Sequence, residues 1–372
     1  MFGGGSGSRD ITMALCRGNY DVTRVVPAWD SGGSSRALRD SLGILAMGDI
    51  RQALMTMAHG EDRVSHVVRF FNARLSEASN SSDLLAEFDF YASGAHPLLG
   101  MMEPGIRGAI LNYLRVFQSK IGDGFDFCRG SIGNFVLTGA HFAHGGDINT
   151  AIFVFRKLCA IEGNVWPSTT DNGAALSAEL RDGRIVLGQD RVTSLTTEHA
   201  CIGIDKVSVV GSSGMGRPSA NPAVLEAIGE ADALLFGPGS FFTSTVAHLS
   251  VEGICPAIEA TGPEVPKILT GNILECPETT GRSLSELVQA FDLAGRPGLL
   301  THVLVNRGWV PFERVMNGHR YLHAGSAEAA QTAKPVFIAD DFEDPWSRGR
   351  HDASKVAATV GTLIDETRAS IK

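Results

Sequence analysis

The chain lacks several features that would settle its function quickly. It has no basic run and no Arg/Lys tail, and its formal net charge is −9 over 372 residues. That balance argues against a duplex partner, and neither DNA nor RNA is expected to bind. No apolar run reaches the ~20 residues that a membrane span needs, and no signal peptide is visible at the N-terminus. We therefore expect a cytoplasmic protein with no membrane partner. The six cysteines (Cys16, Cys128, Cys159, Cys201, Cys255 and Cys276) are scattered, and none forms a CxxC pair. They read as reduced, mostly buried thiols rather than a disulfide frame or a zinc site. There is no internal repeat and no low-complexity linker. Hydrolase signatures are missing too: the glycine run offers no correctly spaced GxSxG elbow, and no Ser–His–Asp set is forced. His141 and His144 lie three apart on a helical stretch, but no carboxylate or third histidine stands at matching spacing, so they read as surface or capping residues. No residue stands out as a covalent nucleophile.

What is present is a packed globular composition, 44% hydrophobic and 20% charged, and one conspicuous stretch: GGGSGS, Gly3 to Ser8. Glycines allow backbone to approach a ligand closely because no Cβ intervenes. A helix starting near Asp10 would turn its free first-turn amides toward that cluster and favour a phosphate. The stretch is not a P-loop, since it lacks the Gly-Lys-Ser/Thr ending, and Ser8 stands where GxGxxG has its last glycine. A plain flexible linker is the competing reading. Only Met1 and Phe2 precede it, whereas such a loop normally follows a buried strand, so we expect either a truncated first strand or a start further upstream.

The order of elements is that of an α/β chain. Asp10–Gly18 is helical. Residues 21–26 (DVTRVV) read as a strand that Pro27 limits, delivering Asp30 and the loop from Ser31 to Ser35. Arg36–Leu42 and Gln52–Ala58 read as helices, the second after a Gly48–Asp49 cap. Residues 61–128 are mostly helical by period and are expected to form a cap or insertion on a single domain spanning 1–372. Two further helices are expected at 135–143 and 147–158, and a hairpin at 176–180 and 184–189. Buried strand runs follow at 231–236, 266–270, 302–306 and 335–339, with helices at 223–228, from near Ser244, and at about 353–367. Short apolar strands alternating with helices imply a parallel sheet covered on both faces, a Rossmann-like three-layer arrangement.

Candidate site residues fall where such strands end. Asp30 occupies the position at which a dinucleotide fold places a ribose-binding carboxylate. It could equally hold magnesium together with Asp49, both being hard oxygen ligands. Turn and capping roles are the alternatives for the two. Gly237–Pro238–Gly239–Ser240 after a hydrophobic strand suggests a second anion-binding turn, with a plain strand-to-helix turn as its competitor.

In this order the pieces resemble the superfamily of 2-phospho-L-lactate transferases and gluconeogenesis factors (CofD-like). The motifs that carry the resemblance are GGGSGS, WDSGGSSRALR, GDIRQAL, IGNFVLTG, WPSTTDNGAALSAELRDG, NPAVLEAIGEADALLFGPGSFFTS, GNILECPETTG and RHDASKVA, and together they cover most of the chain. The resemblance implies a Rossmann-like core with a nucleotide in its cleft. One branch uses magnesium to move a phospholactyl group from a guanylyl donor to a deazaflavin alcohol; the other binds UDP-sugars and regulates. GGSS and GDIR look like the second branch. Carried over, the resemblance implies that Gly4, Gly5, Ser6, Gly7, Ser34 and Ser35 cradle phosphate or ribose. Asp30 and Asp49 would hold Mg2+ or sugar hydroxyls. Asn134 would contact the base or donor group; Gly237, Pro238, Gly239, Ser240 and Ser244 would close the phosphate side, and Asn272 would line the same edge. Three departures stand out. Asp30–Ser31 replaces an expected Asp-Asp, Arg36 replaces a glycine and would place charge near a phosphate, and 61–128 is longer than expected for either branch.

The expectation is thus a nucleotide- or nucleotide-sugar-binding protein. It would be either a magnesium-assisted transferase acting on a diphosphate-linked donor or a non-catalytic sensor that uses 61–128 as its partner surface. A homodimer is compatible with the fold family. A nicotinamide-linked oxidoreductase is a third reading, for which Asp30 fits but the glycine spacing does not.

Overall fold

The computed structural model describes residues 1–58, 65–77, 80–212, 214, 216–308, 318–325 and 335–370. Its strands are β1 (Thr23–Val26), β2 (Asn164–Pro167), β3 (Ala175–Leu180), β4 (Ile185–Leu187), β5 (Ile204–Val210), β6 (Leu234–Phe236), β7 (Lys267–Thr270), β8 (His302–Asn306) and β9 (Val336–Asp340). β1 pairs with β2, and β6 through β9 pair in succession, all in parallel. Between these two sets stands Phe2, which bridges in parallel to Val25 on one side and Phe236 on the other. Phe2 N–H donates to Leu235 O at 2.7 Å, and Gly237 N–H donates back to Phe2 O at 2.9 Å. One residue therefore does the work of the expected first strand.

With Phe2 counted first, spatial order reads third, second, first, fourth, fifth, sixth, seventh. This is the doubly wound arrangement, and its reversal of strand order falls between Phe2 and β6. The sheet lies between two layers. On one face Ile11 and Leu15 of helix Arg9–Arg17 and Val356, Val360 and Leu363 of helix Ala353–Ser370 pack on Leu235, Ile268 and Leu304. On the other face Phe2 stacks on Phe236 at 5.0 Å between ring centroids, and Phe236 meets Phe291 of helix Leu284–Ala294 edge-on at 5.0 Å. β6 and β7 are buried at every position, as an apolar run in a doubly covered parallel sheet should be.

The hairpin β3–β4 is antiparallel as expected, and β5 pairs on the other edge of β3 to make a separate three-stranded sheet. Within 61–128 the described helices are His66–Phe71, Ser81–Ala92, Pro97–Gly100 and Pro104–Lys120. They rest on helix Ile132–Ala143 through a phenylalanine cluster in which Phe117 stacks on Phe135 at 4.6 Å and Phe88 on Phe127 at 4.9 Å. No described helix is long and apolar enough to cross a membrane. All six cysteines are free.

Candidate functional site at the carboxyl edge of the sheet

Every parallel strand delivers its following loop to one edge, and the two loops flanking the reversal meet there. Gly7 and Gly239 touch backbone to backbone: a Cβ on Gly7 would lie 2.7 Å from Gly239 Cα and 3.1 Å from Pro238 O. Only glycine fits at such a distance. A Cβ on Gly4 would stand 3.0 Å from Ser244 Oγ. Gly239 is gripped from the next strand by Asn272, whose side-chain amide donates to Gly239 O at 2.8 Å and accepts from Gly239 N–H at 3.3 Å. Ser6, Gly7, Pro238, Gly239, Ser240 and Asn272 line a cavity of about 540 Å³. A larger cavity, about 710 Å³, opens among Met1, Asp21, Glu230 and Arg368 at the opposite ends of the strands. It shares no residue with the glycine turns, so size does not mark the site.

Beside the turns lies a carboxylate pair. Asp49 sits in the first turn of helix Gly48–Met57, not at its cap, which is Met47. Its Oδ1 accepts Gly5 N–H at 2.9 Å. Asp30 Oδ1 accepts Gly32 N–H at 3.1 Å, and its Oδ2 accepts the Ser35 hydroxyl at 2.8 Å. Ser35 Oγ in turn accepts Gly48 N–H at 3.1 Å. Gly48, the residue before Asp49, packs on the Asp30 carboxylate, since a Cβ there would come within 2.7 Å of Asp30 Oδ2. Burial pushes the Asp30 carboxyl above the usual aspartate range. Burial, and then the neighbouring Asp30 charge, push Asp49 up to about 7. A half-buried carboxylate whose charge is opposed by a neighbouring acid is relieved by a cation or by holding its proton.

This donor set fits magnesium. Mg2+ is usually bound through one or two carboxylates, with substrate phosphates and water completing its sphere. Among the described residues no group of three or more His, Cys, Asp or Glu could hold a metal by itself, so the remaining oxygens would have to come from the ligand.

Other expected residues take supporting positions. Asn134 is fully buried and donates to Ser34 Oγ at 2.8 Å; it stands behind Ser34 and is not in the cavity lining. Ser35 is engaged by Asp30 and Gly48 and orients the acid. Arg36 pairs with Asp190, which also accepts the Ser31 hydroxyl at 2.7 Å. The charge that Arg36 was expected to bring to a phosphate is thereby spent on tying β4's following helix, Gln189–Thr193, to the Asp30 loop. The helix expected from near Ser244 begins earlier, at Phe241, and ends there. Its N-terminus is held by Glu278, whose carboxylate is buried and accepts Phe242 N–H at 2.9 Å, Thr243 N–H at 3.1 Å and the Thr243 hydroxyl at 2.7 Å. Burial raises the Glu278 pKa.

Sequence reasoning singled out neither Glu278 nor Gln52, which lines the cavity and packs on Gly5. Arg9, Arg350 and His351 also line the cavity. Burial lowers the His351 pKa. The neutral ring then donates through Nε2 to Gly271 O at 3.0 Å. The RHDASKVA motif carried the signal for the last two residues, and Glu278 lies in GNILECPETTG, where only Asn272 was picked out.

Comparison with known proteins follows this geometry. The family model described as "2-phospho-L-lactate transferase CofD" matches residues 1–337. The chain belongs to that family. A relative from Thermotoga maritima named "Putative gluconeogenesis factor" is 27% identical over 369 residues, covering 96% of each chain. One of the same name from Nostoc sp. PCC 7120 is 28% identical over 370 residues, covering 97% of this chain and 67% of its own. A crystal structure of a UPF0052 family member from Bacillus halodurans superposes with a TM-score of 0.73 at 23% identity, over 96% of this chain and 97% of that one. It shares the fold.

Proposed function

We propose that this CofD family member binds a nucleoside diphosphate or a nucleoside-diphosphate-linked sugar at the carboxyl edge of its parallel sheet. The carrying observation is the backbone contact between Gly7 and Gly239, which joins the two glycine turns flanking the strand reversal into one rim. In this reading the diphosphate lies on Gly4–Gly7 and Gly237–Ser240. The exposed N–H groups of Ser6 and Gly7 have no protein acceptor among the described residues and are free to meet it. Arg9 and Arg350 supply positive charge to the same cavity. Asp30 and Asp49 would hold Mg2+, which would supply charge neutralisation to the diphosphate. The chain itself orients the acids through Ser35, Gly32 and Gly5 and clamps the second turn through Asn272.

Whether the bound ligand is then cleaved divides two readings. A transferase would act by charge neutralisation and positioning, since no activated nucleophile lines the cavity among the described residues. A ligand-sensing regulator is favoured by the GGSS and GDIR stretches, which resemble that branch, and it accords with the name given to the relatives. Calorimetric titration with a panel of nucleoside diphosphates and their sugar conjugates, with and without Mg2+, tests the shared part. We expect one base to bind at micromolar or tighter affinity, strengthened by the metal. Absence of binding across the panel overturns the proposal. Release of product from a bound conjugate would select the transferase, and an intact conjugate after prolonged incubation the regulator.

A further inference from the structure

A buried cation lies beneath the glycine loop. Arg24, in the strand beside Phe2, is 0% exposed. Its guanidinium donates to Thr12 Oγ1 at 2.6 Å, to Gly4 O at 2.7 Å and to Gly3 O at 3.4 Å. All three acceptors are neutral. Arg24 forms no ion pair within 4.0 Å among the described residues, and its Nε has no partner. Burial lowers its pKa to about 10, so it stays charged at neutral pH. The anion that acts on it most is Asp49, which lies beyond ion-pair distance. A buried charge without a full counter-ion is costly, so its retention needs a reason.

The geometry of the loop supplies one. In a trans peptide the C=O and N–H point to opposite sides. Arg24 draws the Gly3 and Gly4 carbonyls inward, so the N–H groups of Gly4 and Gly5 face the other way. Gly5 N–H meets Asp49 there. Beyond it, Ser6 and Gly7 open on the cavity.

We propose that Arg24 is a positioning residue that fixes the loop carbonyls inward and serves as the internal counter-charge for a polyanionic ligand on the far side of the loop. This rests on the diphosphate reading above and deepens it: the site selects by phosphate charge and not by shape alone. Binding the anion completes a charge pair that the apo chain leaves open, and the low-dielectric loop between them screens the attraction less than water would.

The test compares wild type with Arg24→Met and Arg24→Lys by calorimetry at several salt concentrations. The probes are inorganic phosphate, pyrophosphate, UDP, GDP and the two uncharged nucleosides. In Arg24→Met, pyrophosphate and the preferred diphosphate should weaken by about tenfold or more and phosphate by less. Nucleoside affinity should hold, and the salt dependence of pyrophosphate binding should flatten. Arg24→Lys, which keeps the charge without the fork, should retain the ratio of diphosphate to nucleoside affinity even if both weaken. In Arg24→Met a merely structural role predicts equal losses for charged and uncharged probes, and that result overturns the proposal, as does unchanged affinity. If Arg24→Met does not fold, Arg24→Gln, which removes the charge and keeps side-chain donors, is read by the same two outcomes. Wild type that binds none of the probes sinks the diphosphate reading itself, whereas wild-type binding with charge-blind variants sinks only the role of Arg24.

Discussion

Asp49 carries the clearest consequence at the scale of one residue. Its folded-state pKa of about 7 lies above the ordinary aspartate value. Below about pH 4 the group is protonated in both folded and unfolded chains and costs nothing. As pH rises through 4 to 7 the unfolded chain ionises freely while the folded one resists, so stability falls and reaches its floor above 7. Asp49→Asn keeps an acceptor for Gly5 N–H and removes the charge. It should raise the unfolding free energy at pH 8 by an amount on the order of 2 kcal/mol and change little at pH 4, as read by thermal melts across that range. The same variant should abolish any stabilisation by Mg2+. Gly48→Ala makes a separate prediction. The added methyl would meet Ser35 Oγ and Asp30 Oδ2, so it should destabilise by about 1–3 kcal/mol and displace Asp30, with loss of metal-dependent binding in titrations.

At the scale of elements, the second glycine turn is held by groups that follow the neighbouring strand, β7. Glu278 satisfies the Phe242 and Thr243 amides, and Asn272 brackets Gly239. Glu278→Ala leaves those buried amides unpaired and should cost about 2–4 kcal/mol in denaturant unfolding. Ligand affinity should fall with it because the turn loses its anchor. These supports explain what the sequence could and could not show. The strands around Leu234, Lys267, His302 and Val336 were legible because buried parallel strands are short apolar runs between turns. β5 was not singled out, since Asp205 and Lys206 interrupt its pattern at exposed positions. Ser35 and Asn134 were picked out as site residues, but their roles depend on partners 5 and 100 positions away. A linear pattern names the residue type without the partner, so the bond from the Asn134 amide to Ser34 was not legible.

For the whole molecule, the decisive fact is that the strand order reverses between Phe2 and β6, which brings residues 3–8 and 237–240 together across more than two hundred positions of sequence. That placement follows from right-handed crossovers on a parallel sheet, and the alternation of strands and helices foretold it in outline. A truncated first strand was one of two expectations, but its pairing through Phe2 alone was not legible, because two residues carry no period. Gly7→Ala would push on Gly239 Cα, where no side chain can yield. We expect it to lower affinity for the diphosphate by tenfold or more in titrations while leaving the far-UV dichroism of the fold intact.

The Gly7–Gly239 contact also binds the fates of two distant stretches. With no side chain between them to act as a cushion, a shift in either stretch is transmitted whole to the other. Occupancy read by deuterium uptake should therefore register as one event, the amides after Phe2 and those after Phe236 slowing together and in the same proportion.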